Sequence, residues 1–287
     1  MKLLRIALGQ VSPRLGDVSE NVRKHIDFAT SAKEKGAHVV VFPELGLTGY
    51  QLRDLAFHVA RPLNHPDITS LIDASKALDI DMVFSFVEQT PAYRFCVSSV
   101  YATKGTIAHV HRKIYPPTYG LFEEGRQFSK GDAIDSFSLG DHRAGMMICE
   151  DAWHPSVPYL LSVSGVDVMY VPAAGPGRAL SGDPHSGSQM FWNRMLRTYA
   201  QLYTSFMVFV NRVGFEDGVF FFGHSFVASP TGEFIGGSES HDECLTTVDI
   251  DLEIVRKERY RSPFLRDEDI YLTERTLSRI IREGRTW

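Results

Sequence analysis

The strongest constraint on the fold is a series of short, almost wholly apolar runs bounded by turn residues. They are Ala37–Phe42, Met82–Val87, Val166–Val171 and Phe206–Val210. A strand exposed on one face alternates apolar with polar residues, whereas a run without that alternation is covered on both faces. Segments with helical spacing lie between these runs. Glu20–Lys35 places Val22, Ile26, Ala29 and Ala32 on one face, with Ser19 as N-cap and Gly36 as the closing residue. Asp67–Leu78 repeats the pattern with Ile68, Leu71 and Ile72, and Val157–Val163 and Gln189–Leu202 also read as helices. Leu3–Val11 alternates as a first strand. Strands alternating with helices predict a single α/β domain.

Hairpins account for most of the remaining chain. Cys96–Ala102 turns at Lys104-Gly105 into Thr106–Arg112, and Ile134–Leu139 turns at Gly140-Asp141 into His142–Ile148. Phe220–Ala228 is expected to pair with Glu233–Gly236 across Pro230-Thr231-Gly232, and Leu245–Ile250 is the last strand. Asp251 caps a short helix running to Arg259. Pro116-Pro117 makes Ile114–Gln127 an ordered loop, and Pro172–Ser188 reads as a Gly- and Pro-rich loop beside the site. A single domain over 1–260 is followed by a charged, Arg-rich tail, 261–287. That tail either crosses to a partner subunit or forms a solvated helix.

Composition excludes some functions. A net charge of −5 argues against a nucleic-acid binder, which would show a basic face. No apolar run approaches the roughly 18 residues of a membrane span. Arg5 interrupts the N-terminal apolar run, and no small-residue cleavage site follows it. Cys96, Cys149 and Cys244 are too few and too widely spaced for a disulfide framework, so a cytoplasmic setting is expected.

Three residues with complementary chemistry fall at the ends of predicted strands: Glu44, Lys113 and Cys149. A thiol attacks only as thiolate and needs a base or a cation beside it. A buried carboxylate can take its proton and return it to a leaving amine. A fixed ammonium, together with the backbone N–H of Glu150, can hold a tetrahedral oxyanion. Such a set cleaves an amide C–N bond through a thioester and calls for no metal and no organic cofactor.

The stretches around these residues are FPELGLTGY at Glu44, HRKIYPPTYGLFEEGRQF at Lys113 and ICEDAWHP at Cys149. In this order they resemble the Glu-Lys-Cys motifs of the nitrilase superfamily of carbon–nitrogen hydrolases. The likeness extends to FVNRVG at Phe209–Gly214 and GHSFVASPTGE at Gly223–Glu233. It implies a four-layer α-β-β-α sandwich, a carbon–nitrogen hydrolase domain over 1–260, and homodimers that join their helical layers. It also implies a fourth residue, a Glu that holds the Lys; this falls on Glu124, with Glu123 as the competing assignment. Tyr50, Tyr119, Glu150, Trp153, Ala174 and Gly175 are the candidate substrate-binding residues, and Phe122 is a further wall.

The wording of the Lys and Cys motifs is most similar to the glutamine amidohydrolase domain of glutamine-dependent NAD synthetases. No pyrophosphatase loop of the SGGxDS type appears in this sequence, so the expectation is a lone amidase or a glutaminase subunit feeding ammonia to a separate synthetase. Where those domains carry Ser-Ala-Ser-Pro, this chain has Ala173-Ala174-Gly175-Pro176. Losing those hydroxyls weakens recognition of an amino-acid head and leaves a small amide, an ω-amide or a carbamoyl compound open. The run from Gly175 to Gly187 is a candidate specificity loop or lid.

Other readings have less support. A metal hydrolase could draw on His109, His111, Asp183 and His185, but the sequence holds no HExxH and no CxxC. A nitrilase would use the same three residues, although true nitrilases carry a different pattern after the Cys. A regulatory protein that keeps the fold and all three residues would need a blocked pocket or altered geometry.

Overall fold

The computed structural model describes residues 3–177 and 187–284. Strand β1 (Leu3–Gln10) leads into α1 (Val18–Glu34), β2 (Val39–Val41), the short α2 (Ala56–Val59) and α3 (Pro66–Ala77). Next come β3 (Asp81–Gln89), β4 (Phe95–Thr103), β5 (Thr106–Arg112), the one-turn α4 (Glu124–Gln127), β6 (Ser136–Leu139), β7 (His142–Met146) and α5 (Ser156–Val163). β8 (Val168–Ala173), α6 (Gly187–Leu202), β9 (Phe206–Asn211), β10 (Val213–Glu216), β11 (Val219–Phe222), β12 (Phe226–Ala228), β13 (Phe234–Gly237) and β14 (Cys244–Asp251) follow. The chain closes on α7 (Glu253–Arg261), α8 (Phe264–Asp267) and α9 (Ile270–Arg282).

Two six-stranded mixed sheets result, in the orders β14-β1-β2-β3-β4-β5 and β13-β12-β9-β8-β7-β6. Side chains alternate across a strand, and that period sorts the core into layers. Ile6, Leu8, Val39, Val41 and Val83 of the first sheet face Met146, Val168, Tyr170, Phe206 and Val208 of the second. The intervening residues Ala7, Val40, Met82 and Phe84 turn outward onto Val22, Ala29, Ile68 and Leu71 of α1 and α3. On the far side Met169, Val171 and Phe209 meet Leu161 of α5 and Trp192 and Leu196 of α6. This is an α-β-β-α sandwich in which the β2, β3, β8 and β9 runs are covered on both faces.

Several local expectations need correction. The N-cap of α1 is Asp17, whose carboxylate accepts from the Glu20 N–H at 3.2 Å; Ser19 lies inside the first turn. The loop 114–127 contains the helical turn α4, which begins at Glu124. Phe220–Ala228 is not one strand. Gly223 and His224 take φ of +70° and +55°, which ends β11 and starts β12. β11 pairs with β10 in a separate two-stranded ribbon, and β12 pairs with β9 and β13. Of the expected loop 172–188, Pro172 and Ala173 belong to β8 and Gly187 opens α6. Most of the Gly-rich run, including Asp183 and His185, lies outside the described residues. The tail holds α8 and α9, and Ile270, Leu277 and Ile281 on α9 are exposed.

Candidate active site

The two sheets present their chemistry at one edge. Glu44 and Lys113 follow β2 and β5 of the first sheet, while Cys149 opens a single 3₁₀ turn, Cys149–Trp153, after β7 of the second. Bonds to neighbouring chain fix the Lys113 backbone: its N–H donates to the Val97 carbonyl at 2.9 Å, and its carbonyl accepts from the Gly131 N–H at 2.8 Å. Cys149 has φ +46°, a left-handed conformation that costs a side-chain-bearing residue about 1–3 kcal/mol and persists only where surroundings enforce it.

The charged side chains form one buried chain of contacts. Lys113 Nζ donates to Glu44 Oε1 at 2.6 Å and lies 2.7 Å from Glu124 Oε2. The other Glu44 oxygen accepts from the Ala174 N–H at 3.1 Å. The Tyr50 hydroxyl donates to Glu124 Oε1. Glu44, Lys113, Glu124 and Cys149 are all buried. Glu123 is exposed and leans toward Arg126, so the carboxylate that reaches Lys113 is Glu124.

Burial and mutual charge set the protonation states. Burial pushes the Cys149 thiol well above its ordinary value; the Glu44 carboxylate adds to that, and Lys113 opposes it. Burial pulls the Lys113 ammonium down, but Glu124, Glu44 and Cys149 together carry it well above its usual range. Burial raises the Glu124 carboxyl to about 7 against the pull of Lys113. At neutral pH the site therefore holds a protonated thiol and an ammonium, so attack by the sulfur calls for a base to take its proton.

Cys149 opens onto a cavity of about 450 Å³. Tyr119, Phe122, Glu150, Trp153 and Gly175 line it, together with Pro176, Phe191 and Trp192. The Glu150 carboxylate accepts from the Tyr119 hydroxyl, with both oxygens at 2.9 Å. Burial raises the Glu150 carboxyl while Tyr119 holds it down. Two expected substrate contacts, Tyr50 and Ala174, are not among the lining residues; the Tyr50 hydroxyl is committed to Glu124 and the Ala174 N–H to Glu44.

Some contributors lie within the quoted stretches but had no role assigned from the sequence. Asp151 accepts from the Ile114 and Tyr115 N–H groups with one oxygen, and from the Ile148 N–H and His111 Nε2 with the other. Asn211 brackets Gly175, accepting from its N–H at 2.7 Å and donating to its carbonyl at 3.3 Å. Asn211 stands right after a predicted strand and within FVNRVG, one of the stretches that carry the family likeness, and those were its signals. His109 stacks on Phe137 at 4.7 Å, and burial lowers its imidazole to about 4. Among the described residues no three His, Cys, Asp or Glu side chains gather as a metal-ligand group.

Known proteins with similar sequences and folds bear on this site. The family model for carbon-nitrogen hydrolase matches residues 5–260. The glutamine-dependent NAD(+) synthetase of Thermotoga maritima is 32% identical over 256 residues, which is 88% of this chain and 43% of that one. The chain thus spans less than half the length of that synthetase. The N-carbamoylputrescine amidase of Solanum tuberosum is 27% identical over 280 residues, 91% of each chain. A solved carbon-nitrogen hydrolase from Helicobacter pylori G27 superposes with a TM-score of 0.88 at 24% identity, covering 96% of this chain and 99% of that one, a likeness of fold. With the family model spanning nearly the whole sandwich, the chain belongs to the carbon-nitrogen hydrolase family.

Proposed function

We propose that this carbon–nitrogen hydrolase acts on a small linear amide or carbamoyl compound that carries a free ammonium at its far end. The observation that carries this reading is the cavity itself. Cys149 stands in its wall, and Glu150 is the carboxylate among the aromatic faces of Tyr119, Phe122, Trp153 and Trp192. A carboxylate ringed by aromatic faces favours an organic cation. Glutamine and N-carbamoylputrescine, which appear in the names of the relatives above, share that pairing of amide and amine.

In the proposed reaction Glu44 takes the Cys149 proton as sulfur attacks the amide carbon. Lys113 and the Glu150 N–H hold the oxyanion. Glu44 then passes the proton to the departing ammonia, leaving an acyl-thioester on Cys149. A water that gives its proton to Glu44 attacks the thioester. The carboxylic acid leaves and the thiol regains its proton. Glu124 keeps Lys113 aligned throughout. The exposed apolar residues of α9 suit burial against a second copy of the chain. A second reading, hydrolysis of glutamine to supply ammonia to a synthetase, draws support from the 32% identity to two glutamine-dependent NAD(+) synthetases.

An ammonia-release screen over glutamine, N-carbamoylputrescine, propionamide and a nitrile tests the proposal, with Cys149→Ala as the blank. Ammonium-bearing amides are expected to exceed propionamide by about tenfold or more in kcat/KM, the worth of one charge-assisted contact. Equal turnover of propionamide, or preference for the nitrile, would overturn it.

A further inference from the structure

Another buried ion pair adjoins the Tyr50 turn. Arg212, between β9 and β10, is fully buried, and its Nη1 donates to Glu216 Oε2 at 2.8 Å. The guanidinium lies over the Phe221 ring at 4.2 Å, and that ring in turn meets Tyr50 with centroids 5.8 Å apart. The other Glu216 oxygen accepts from the Tyr50 and Gln51 N–H groups, both at 2.7 Å. The turn before Tyr50 is close-fitting: Gly49 has φ +81°, and a Cβ there would stand 2.9 Å from Glu216 Oε2.

Burying two charges costs more desolvation than an apolar pair of similar volume would. What this pair provides is geometry. Three donors converge on Glu216 from two separate segments, and only a carboxylate offers two acceptor oxygens to meet them. Resting on the proposed reading of Lys113 and Cys149, we infer that Glu216, fixed by Arg212, is a positioning residue: it anchors the Tyr50 turn so that the Tyr50 hydroxyl meets Glu124 and Glu124 holds Lys113. Glu216 touches neither substrate nor thiol in this scheme and acts only through Tyr50.

A double-mutant cycle between Glu216→Gln and Tyr50→Phe tests this, with kcat and KM measured on the best amide from the screen. Glu216→Gln has one acceptor oxygen for three donors. It is expected to lower kcat about 10- to 100-fold while KM stays within about threefold, as for a misplaced catalytic group. In the Tyr50→Phe background the same change is expected to alter kcat less than about twofold. The Arg212→Met/Glu216→Gln pair removes the competing donor. Its single amide oxygen can then serve the turn, so kcat is expected to recover to within about fivefold of the parent. This pair also serves if Glu216→Gln alone does not fold. Equal losses in both backgrounds, no loss at all, or a charge-free pair as impaired as Tyr50→Phe would overturn the inference. Retained activity in Cys149→Ala would instead overturn the reading of the triad, so the two failures are distinct.

Discussion

Asp151 and His111 meet at 2.8 Å with both side chains sealed from solvent, and that contact ties together the segments that carry Cys149 and Lys113. Since Asp151 also accepts the N–H groups of Ile114, Tyr115 and Ile148, its carboxylate is the joint between the two sheets at the site. The residue two places past the candidate nucleophile thus has a structural task that its neighbour Glu150, facing the cavity, does not share.

Asp151→Asn keeps the shape but leaves one acceptor oxygen where two served four donors. The expected outcome is a loss of about 1–3 kcal/mol in stability, read by denaturant unfolding, with kcat lowered at least about tenfold.

The Glu124 carboxyl, raised by burial to about 7, gives the site a pH dependence. Below that pH it is protonated, and Lys113 loses one of its anionic partners. A pH profile of kcat/KM is expected to fall on the acid side with a midpoint near 7, and Glu124→Gln is expected to be weakly active with that limb gone. Stability runs in the opposite direction. The folded chain binds this proton more tightly than the unfolded chain, so the contribution is full below about 4.5 and is lost as pH rises through about 7. Thermal unfolding of the parent should therefore lose ground to Glu124→Gln across that window.

Burial and the Glu44 charge keep Cys149 protonated at neutral pH. Thiolate absorbance difference spectra between the parent and Cys149→Ala should show no ionisation of this thiol below pH 9, its ordinary value. An ionised resting thiolate would mean that Glu44 is not needed as the base.

Glu150→Gln separates binding from chemistry. It is expected to raise KM about tenfold for an ammonium-bearing amide and leave a neutral amide within about twofold. Steady-state kinetics on the two substrates check this, and a shared fall in kcat would assign Glu150 a different task.

Much of the arrangement was legible because its signals are local. Unbroken apolar runs such as Phe206–Val210 announce strands covered on both faces, and Lys104-Gly105 announces a hairpin through its left-handed backbone. Glu44, Lys113 and Cys149 stood out because chemically reactive residues at strand ends collect at a sheet edge. What escaped was long-range. Glu216 meets Tyr50 across 166 positions, and Asp151 meets His111 across 40, with no pattern in either stretch to announce the pairing. The break at Gly223-His224 was hidden because apolar residues continue on both sides of it. Helix α4 is one turn long, too short to build a periodic signal.

The most direct test is intact-mass and peptide analysis of the protein quenched during turnover of its amide. An acyl group is expected on Cys149, formed in step with ammonia release and absent from Cys149→Ala, which should release no ammonia. An acyl group on another residue, or ammonia released by Cys149→Ala at the parent rate, would contradict the proposed reaction.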